Sequence, residues 1–140
     1  MIILDTNVIS ELMRGEAKSD RRVVEWARAL SEQPVSTVIN HAEILSGLAV
    51  LPAGRRRAQL LARAENILLN LGPALPLTPD CAGAYAAIVA ERKAAGSPIG
   101  QMDGLIAAIA RTTGAAIATR NISDFDSLGL RLVDPWTAEI

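Results

Sequence analysis

Aromatic residues are nearly missing from this chain, with two Trp, one Tyr and one Phe among 140 residues. A core must therefore be filled by Ala, Leu, Ile and Val, and base stacking on aromatic faces is disfavoured as a main way of reading nucleic acid. Cysteine is just as scarce. The single Cys81 excludes an intrachain disulfide and suits a reducing compartment. Its Ala-rich surroundings fit a small buried hydrophobe better than a nucleophile. One Cys and one His leave no ligand-spaced pair for zinc. No apolar run approaches the ~18 residues of a membrane span. The N-terminus has no basic segment, and Asp5 interrupts it early, unlike a signal peptide. A Gly-rich phosphate loop and a G-x-S-x-G elbow are both absent. Charge of either sign is balanced at a net −1, from 14 Lys+Arg against 15 Asp+Glu, which does not advertise a nucleic-acid binder. The expectation is a cytoplasmic protein with no membrane association, folded as one domain over 1–140.

What is present is an alternation of short apolar runs and helical stripes. Half the residues are hydrophobic and 21% are charged, which supports a packed core. Ile2-Ile3-Leu4 reads as a buried strand. Asn7 to Arg14 reads as a short helix ended by Gly15, and a stripe of Val23, Val24, Trp26, Ala27 and Leu30 as a second. Val35 to Val38 is an expected strand, followed by helices over about Asn40 to Val50 and Arg55 to Leu71. Ala74 to Leu77 is a weak strand. Thr78-Pro79-Asp80 has the form of a helix start, with a hydroxyl cap, Pro in the first position and an acid in the first turn. That helix runs to about Ala95, and another spans about Gln101 to Thr113. Ala115 to Ala118 and Arg131 to Val133 complete the strands. Strands separated by helices require crossover connections, so the fold class is α/β: three layers, α/β/α, around a mainly parallel sheet of about five short strands.

Four carboxylates stand where such a sheet does chemistry. Ligands of open α/β sheets bind beyond the carboxyl ends of the strands. Asp5 ends the first strand there, although an Asp before a helix also serves as a cap, a role that suits Thr6 and Asn7 better. Glu43 lies in the first turn of the helix after the second strand, a place the helix dipole alone would favour. Asp103 heads a stripe of Ile106, Ala107 and Ala110, where an unpaired carboxylate is very costly. Asp124 follows the strand ending at Ala118, competing with Asp126, which reads as a turn residue. Thr119 and Asn121, in the same loop, can donate hydrogen bonds to a carboxylate, a water or a phosphate oxygen. Strand ends and helix starts share one edge of a parallel sheet. Four carboxylates gathered there repel one another unless a cation joins them, and oxygen ligation with water suits Mg²⁺ or Mn²⁺. Such an ion binds phosphate oxygens and activates water, so phosphodiester hydrolysis is the natural reaction. With those four set aside, 14 basic groups face 11 of the 15 acids.

Taken together, Ile3-Leu4-Asp5-Thr6-Asn7-Val8-Ile9-Ser10-Glu11, Ala42-Glu43-Ile44-Leu45-Ser46-Gly47, Asp103 through Ala110 and Ala118-Thr119-Arg120-Asn121-Ile122-Ser123-Asp124-Phe125 resemble the PIN domains, and among these the VapC/FitB toxins of bacterial toxin–antitoxin modules. The resemblance implies Asp5, Glu43, Asp103 and Asp124 as the acidic quartet, with Asp5 and Asp103 the foremost Mg²⁺ ligands and Thr6, Thr119 and Asn121 in support. It implies a metal-dependent endoribonuclease acting on RNA, structured RNA such as tRNA included. It also implies a small VapB/FitA-like antitoxin, DNA contact only through that antitoxin, and a homodimer. Asn40 departs from relatives that carry Thr or another small residue three positions before the Glu, which touches only a supporting contact. Two other readings stand beside this one: a PIN nuclease of RNA maturation or turnover without an antitoxin, and a non-cleaving RNA- or partner-binding module.

The remaining polar residues divide. His41 is two positions from Glu43 and so points to another helix face. Arg55-Arg56-Arg57, with Lys18, Arg21 and Arg22, form either a phosphate-contacting surface or a solvated face. Trp26 and Leu30 suit a core, a dimer contact or an antitoxin contact equally.

Overall fold

The computed structural model describes residues 1–139. Its elements run β1 (Ile2–Leu4), α1 (Thr6–Leu12), α2 (Arg21–Arg28), α3 (Val38–Ala49), α4 (Arg55–Asn70), α5 (Cys81–Ala94), α6 (Gln101–Thr113), β2 (Ala116–Ala118), a 3-10 turn (Ile122–Phe125) and β3 (Leu132–Val133). The strands pair in parallel in the order β1-β2-β3, with Leu4 opposite Ala118 and Ile117 opposite Leu132. Alternate residues serve opposite faces, as a pleated strand requires. Ile3, Ile117 and Leu132 join a core with Ile88, Ile106 and Ile109 of α5 and α6. Leu4, Ala118 and Val133 join the other core, with Val8, Ile9, Val23, Trp26, Ile44, Leu48 and Ala64 from α1 to α4. Helices thus cover both faces, and the expected three layers are present. Trp26 is core, 6% exposed, and Leu30 packs beside it.

The sheet is smaller than the expected five strands. Among the described residues it has three, and the segments expected as strands at Val35–Val38 and Ala74–Leu77 each contribute one parallel bridge, Ile3 to Val35 and Thr37 to Leu75. Thr37 leaves the strand early because its side chain caps α3. It accepts from the Asn40 N–H at 3.1 Å while the Asn40 Oδ1 accepts from the Thr37 N–H at 3.2 Å, a reciprocal capping box. Pro73 and Pro76 bracket Leu75 and remove two ladder donors. Helix starts shift for similar reasons. Asp5, rather than Thr6 or Asn7, occupies the cap of α1. The Thr78 hydroxyl engages the Asp80 carboxylate instead of a helical N–H, Pro79 and Asp80 remain a turn, and α5 begins at Cys81.

Two glycines position the site. Gly114 ends α6 in the left-handed region, φ 72°, which turns the chain directly into β2. Gly104 lets α6 approach α5; a Cβ there would stand 2.8 Å from the Tyr85 ring. Among the described residues no helix is long and apolar enough to cross a membrane.

Candidate active site at the carboxyl edge of the sheet

The Asp5 carboxylate is held by four donors from three segments. The Thr6 N–H donates to Oδ1 at 2.9 Å and the Asn40 amide reaches the same oxygen at 3.4 Å. The Thr119 hydroxyl donates to Oδ2 at 2.8 Å and the Asn7 amide at 3.3 Å. The Asp5 N–H is itself fixed to the Ala118 carbonyl at 2.9 Å, so the sheet sets the carboxylate's origin. Glu43 is tied in through Thr6, whose hydroxyl donates to Oε1 at 2.9 Å and accepts from the Asn40 amide at 3.1 Å. Asp5, Asn40 and Thr119 are buried, at 6%, 0% and 0% exposure. Buried polar groups need such partners. Among the described residues no buried side-chain nitrogen or oxygen lacks one.

Asp103 and Asp124 stand differently. Neither carboxylate accepts a hydrogen bond from any described residue, and they join the site through charge. Burial, then the charges of Asp5, Asp124 and Glu43, push the Asp103 carboxyl up to about 6, with Arg92 offsetting part of the rise. Burial likewise lifts the Asp5 carboxyl above its ordinary range, and Asp124 adds to it; the bonds from Thr119, Thr6 and Asn40 pull down without cancelling the rise. Asp103 therefore feels the charges of the other three sequence-expected acids, and the acid it feels from the loop after β2 is Asp124, not the exposed Asp126. Thr119 and Thr6 contact the quartet directly. Asn121 reaches it only at one remove, its N–H donating to the Thr119 hydroxyl at 3.1 Å.

Among the described residues, no three Asp, Glu, His or Cys side chains close into a ready-made metal cage. That does not contradict the electrostatics. A small hard cation commonly takes one or two carboxylates and keeps several waters, and the donors offered here are all oxygens. Mutually repelling carboxyls, one held near 6, fit such an ion better than a softer metal or none.

Asn40 and Asn7 are built into this edge more deeply than a supporting contact or a cap requires, and Arg92 joins them without any signal in the sequence. Asn40 touches both Asp5 and Thr6, contacts that no local spacing announces. Asn7 bridges the ends of β1 and β2, donating to Asp5 and to the Thr119 hydroxyl and accepting from the Arg120 N–H at 3.1 Å. Arg92, 5% exposed, donates to the Asp124 carbonyl at 2.6 Å, the Ser123 carbonyl at 3.4 Å and the Ser97 carbonyl at 2.7 Å. It pins the Asp124 turn to the loop before α6. His41 is occupied elsewhere, its Nε2 lying 2.7 Å from the buried Ser36 hydroxyl. Arg55 and Arg56 are exposed at the start of α4.

A three-layer α/β protein with an acidic cluster beyond the ends of its parallel strands is the arrangement of a PIN domain. The chain belongs to the PIN domain family, which matches it over residues 2–129. It is similar to the VapC ribonuclease Y4jK of Sinorhizobium fredii, 42% identical over 139 residues, 97% of this chain and 98% of that protein. It is also similar to toxin FitB of Neisseria gonorrhoeae, 37% identical over 97% of this chain and 99% of that protein. A structure of FitAB bound to an IR36 DNA fragment superposes with a TM-score of 0.89 at 36% identity, covering 100% of this chain and 99% of that one.

Proposed function

We propose that this protein is a divalent-cation-dependent endoribonuclease and the toxin of a type II toxin–antitoxin pair. The observation that carries the reading is Asp103, a half-buried carboxyl that burial, then the charges of Asp5, Asp124 and Glu43, push up to about 6. Similarity to proteins named VapC ribonuclease and toxin FitB supports it. Asp5 and Asp103 would hold Mg²⁺ (or Mn²⁺) directly, with Glu43 and Asp124 engaging it or its waters. The bound ion supplies water of lowered pKa and neutralises charge on the phosphate. The chain's own residues do the rest. Thr119, Asn7 and Asn40 fix the Asp5 oxygens so that no reorganisation accompanies reaction. Thr6 engages one Glu43 oxygen and leaves the other to accept a proton from water. Arg92 keeps the Asp124 turn at the same edge. The similar FitAB complex, solved bound to a DNA fragment, supports a small antitoxin as partner; DNA would be contacted through that antitoxin, and two toxin chains would pair as a homodimer.

The test is cleavage of end-labelled RNA in Mg²⁺ and in EDTA by wild type, Asp5→Ala and Asp103→Ala. Supporting groups around metals are commonly worth about 10- to 100-fold, so loss of either ligand is expected to exceed roughly 100-fold. Equal cleavage by all three proteins defeats the assignment.

A further inference from the structure

Resting on that nuclease reading, we propose that Arg120 is a phosphate-gripping residue that holds the RNA backbone beside the acidic site. Arg120 directly follows Thr119 at the end of β2. Its N–H donates to the Asn7 Oδ1 at 3.1 Å, and Asn7 donates in turn to Asp5 at 3.3 Å and to Thr119 at 3.2 Å. The backbone of Arg120 is thus fixed by the same bonds that orient the Asp5 carboxylate.

The side chain is set in advance as well. Its guanidinium carbon lies 4.9 Å from the centre of the Trp136 ring, and that Trp is 6% exposed, seated in the core. Stacking occupies a face of the planar group and leaves its in-plane N–H donors for a ligand. Among the described residues those donors are unspent. Arg120 is exposed, and among the described residues no carboxylate lies within 4.0 Å of it and none of its side-chain nitrogens makes a hydrogen bond. The nearby Asp20 feels the Arg120 charge but is already taken by Arg22, at 3.2 and 2.9 Å. Arg14, Arg21, Arg28 and Arg111 likewise have carboxylate partners.

The chemistry needs such a group. A polyanion approaching four carboxylates is repelled, and a guanidinium carried on the residue next to Thr119 gives its backbone a point of attachment. A guanidinium grips a phosphodiester through two parallel N–H bonds, which an ammonium does not reproduce. Scarce aromatics elsewhere make the backbone, rather than the bases, the part of RNA this edge recognises.

The experiment measures binding of fluorescein-labelled single-stranded RNA across a series of salt concentrations, with Asp103→Asn as the background so that nothing is cut. Arg120→Ala is expected to weaken binding roughly tenfold and to reduce the slope of log affinity against log salt by about 0.7, one phosphate contact on a single strand. Arg120→Lys should keep the slope and lose part of the affinity. In the cleaving protein, Arg120→Ala should raise KM more than it lowers kcat. If Arg120 only staples the C-terminal segment to Trp136, Arg120→Ala lowers the melting temperature while RNA affinity and slope stay at background values, and the proposal is overturned. Unchanged RNA binding with a weakened antitoxin complex overturns it too. If wild type cleaves RNA and both Arg120 variants bind like the background, the phosphate grip fails while the nuclease reading stands; if wild type neither binds nor cleaves RNA, both fail.

Discussion

The two halves of the acidic edge are built in opposite ways. On the β1 side, Asp5 accepts four hydrogen bonds from Thr6, Asn7, Asn40 and Thr119, and Glu43 is tied to the same network through Thr6. On the α6 side, Asp103 accepts none from the described residues, and burial first, then the charges of three neighbours, push its carboxyl up to about 6. One half is an oriented fixture. The other is a half-buried carboxyl crowded by like charge, a strain that a bound cation would relieve. Preorganised donors around one ligand, and a strained charge opposite it, let the fold commit to a geometry while leaving the driving force for binding unspent.

The comparison can be broken first at Thr119. Thr119→Val keeps the buried volume but deletes the donor to Asp5 and the acceptor for Asn7 and Asn121. Cleavage should fall about 10- to 100-fold, as for groups that orient metal ligands; a rate within about twofold of wild type would mean the β1 network does not set the site. Stability should separate the halves next. Asp5→Ala strands the Thr119 hydroxyl and Asn40 amide in a buried place, so metal-free denaturant unfolding should show a loss of about 1–3 kcal/mol. Asp103→Asn removes a repelled charge and leaves no donor stranded, so its metal-free melting temperature at neutral pH should equal or exceed that of wild type. A melting temperature well below wild type contradicts that crowding by like charge.

The smallest effect is on pH. The Asp103 carboxyl loses its proton near 3.8 in the unfolded chain and at about 6 in the folded one. Between those values the native state binds more protons than the unfolded state, so stability falls as pH rises. The contribution of Asp103 is fully present below about 4 and spent above about 6. Metal-free thermal melts of wild type should decline across that window more steeply than those of Asp103→Asn. Parallel curves would place the repulsion elsewhere.

Much of the acidic edge was legible in the sequence because strand ends and helix starts carry local signals: Ile2-Ile3-Leu4 before Asp5, the apolar stripe behind Asp103, Ala115 to Ala118 before Thr119. The layer arrangement followed from the alternation of strands and helices. What was not legible depends on distant partners. Val35–Val38 has strand composition, yet Thr37 is worth more as a cap on α3, and only the reciprocal bonds with Asn40 show it. Ala74–Leu77 lost its ladder to its own prolines. Arg92, between Glu91 and Lys93, reads as a solvated charge; its acceptors include carbonyls of Ser123 and Asp124, about 30 residues onward. Asn7 reads as a helix cap, and its bridge from β1 to β2 requires the two strands to be neighbours. Asp5 is the cap of α1, and its other oxygen accepts from Thr119 and Asn7, so capping, which the sequence sets against a place in the site, does not take the carboxylate out of the proposed site.

The central claim is that these carboxylates share one divalent cation, and calorimetric titration of Mn²⁺ into wild type, Asp5→Asn and Asp103→Asn tests it without RNA. The account predicts a single binding event in wild type, weakened about tenfold or more in each variant. Identical isotherms for the three proteins would contradict it.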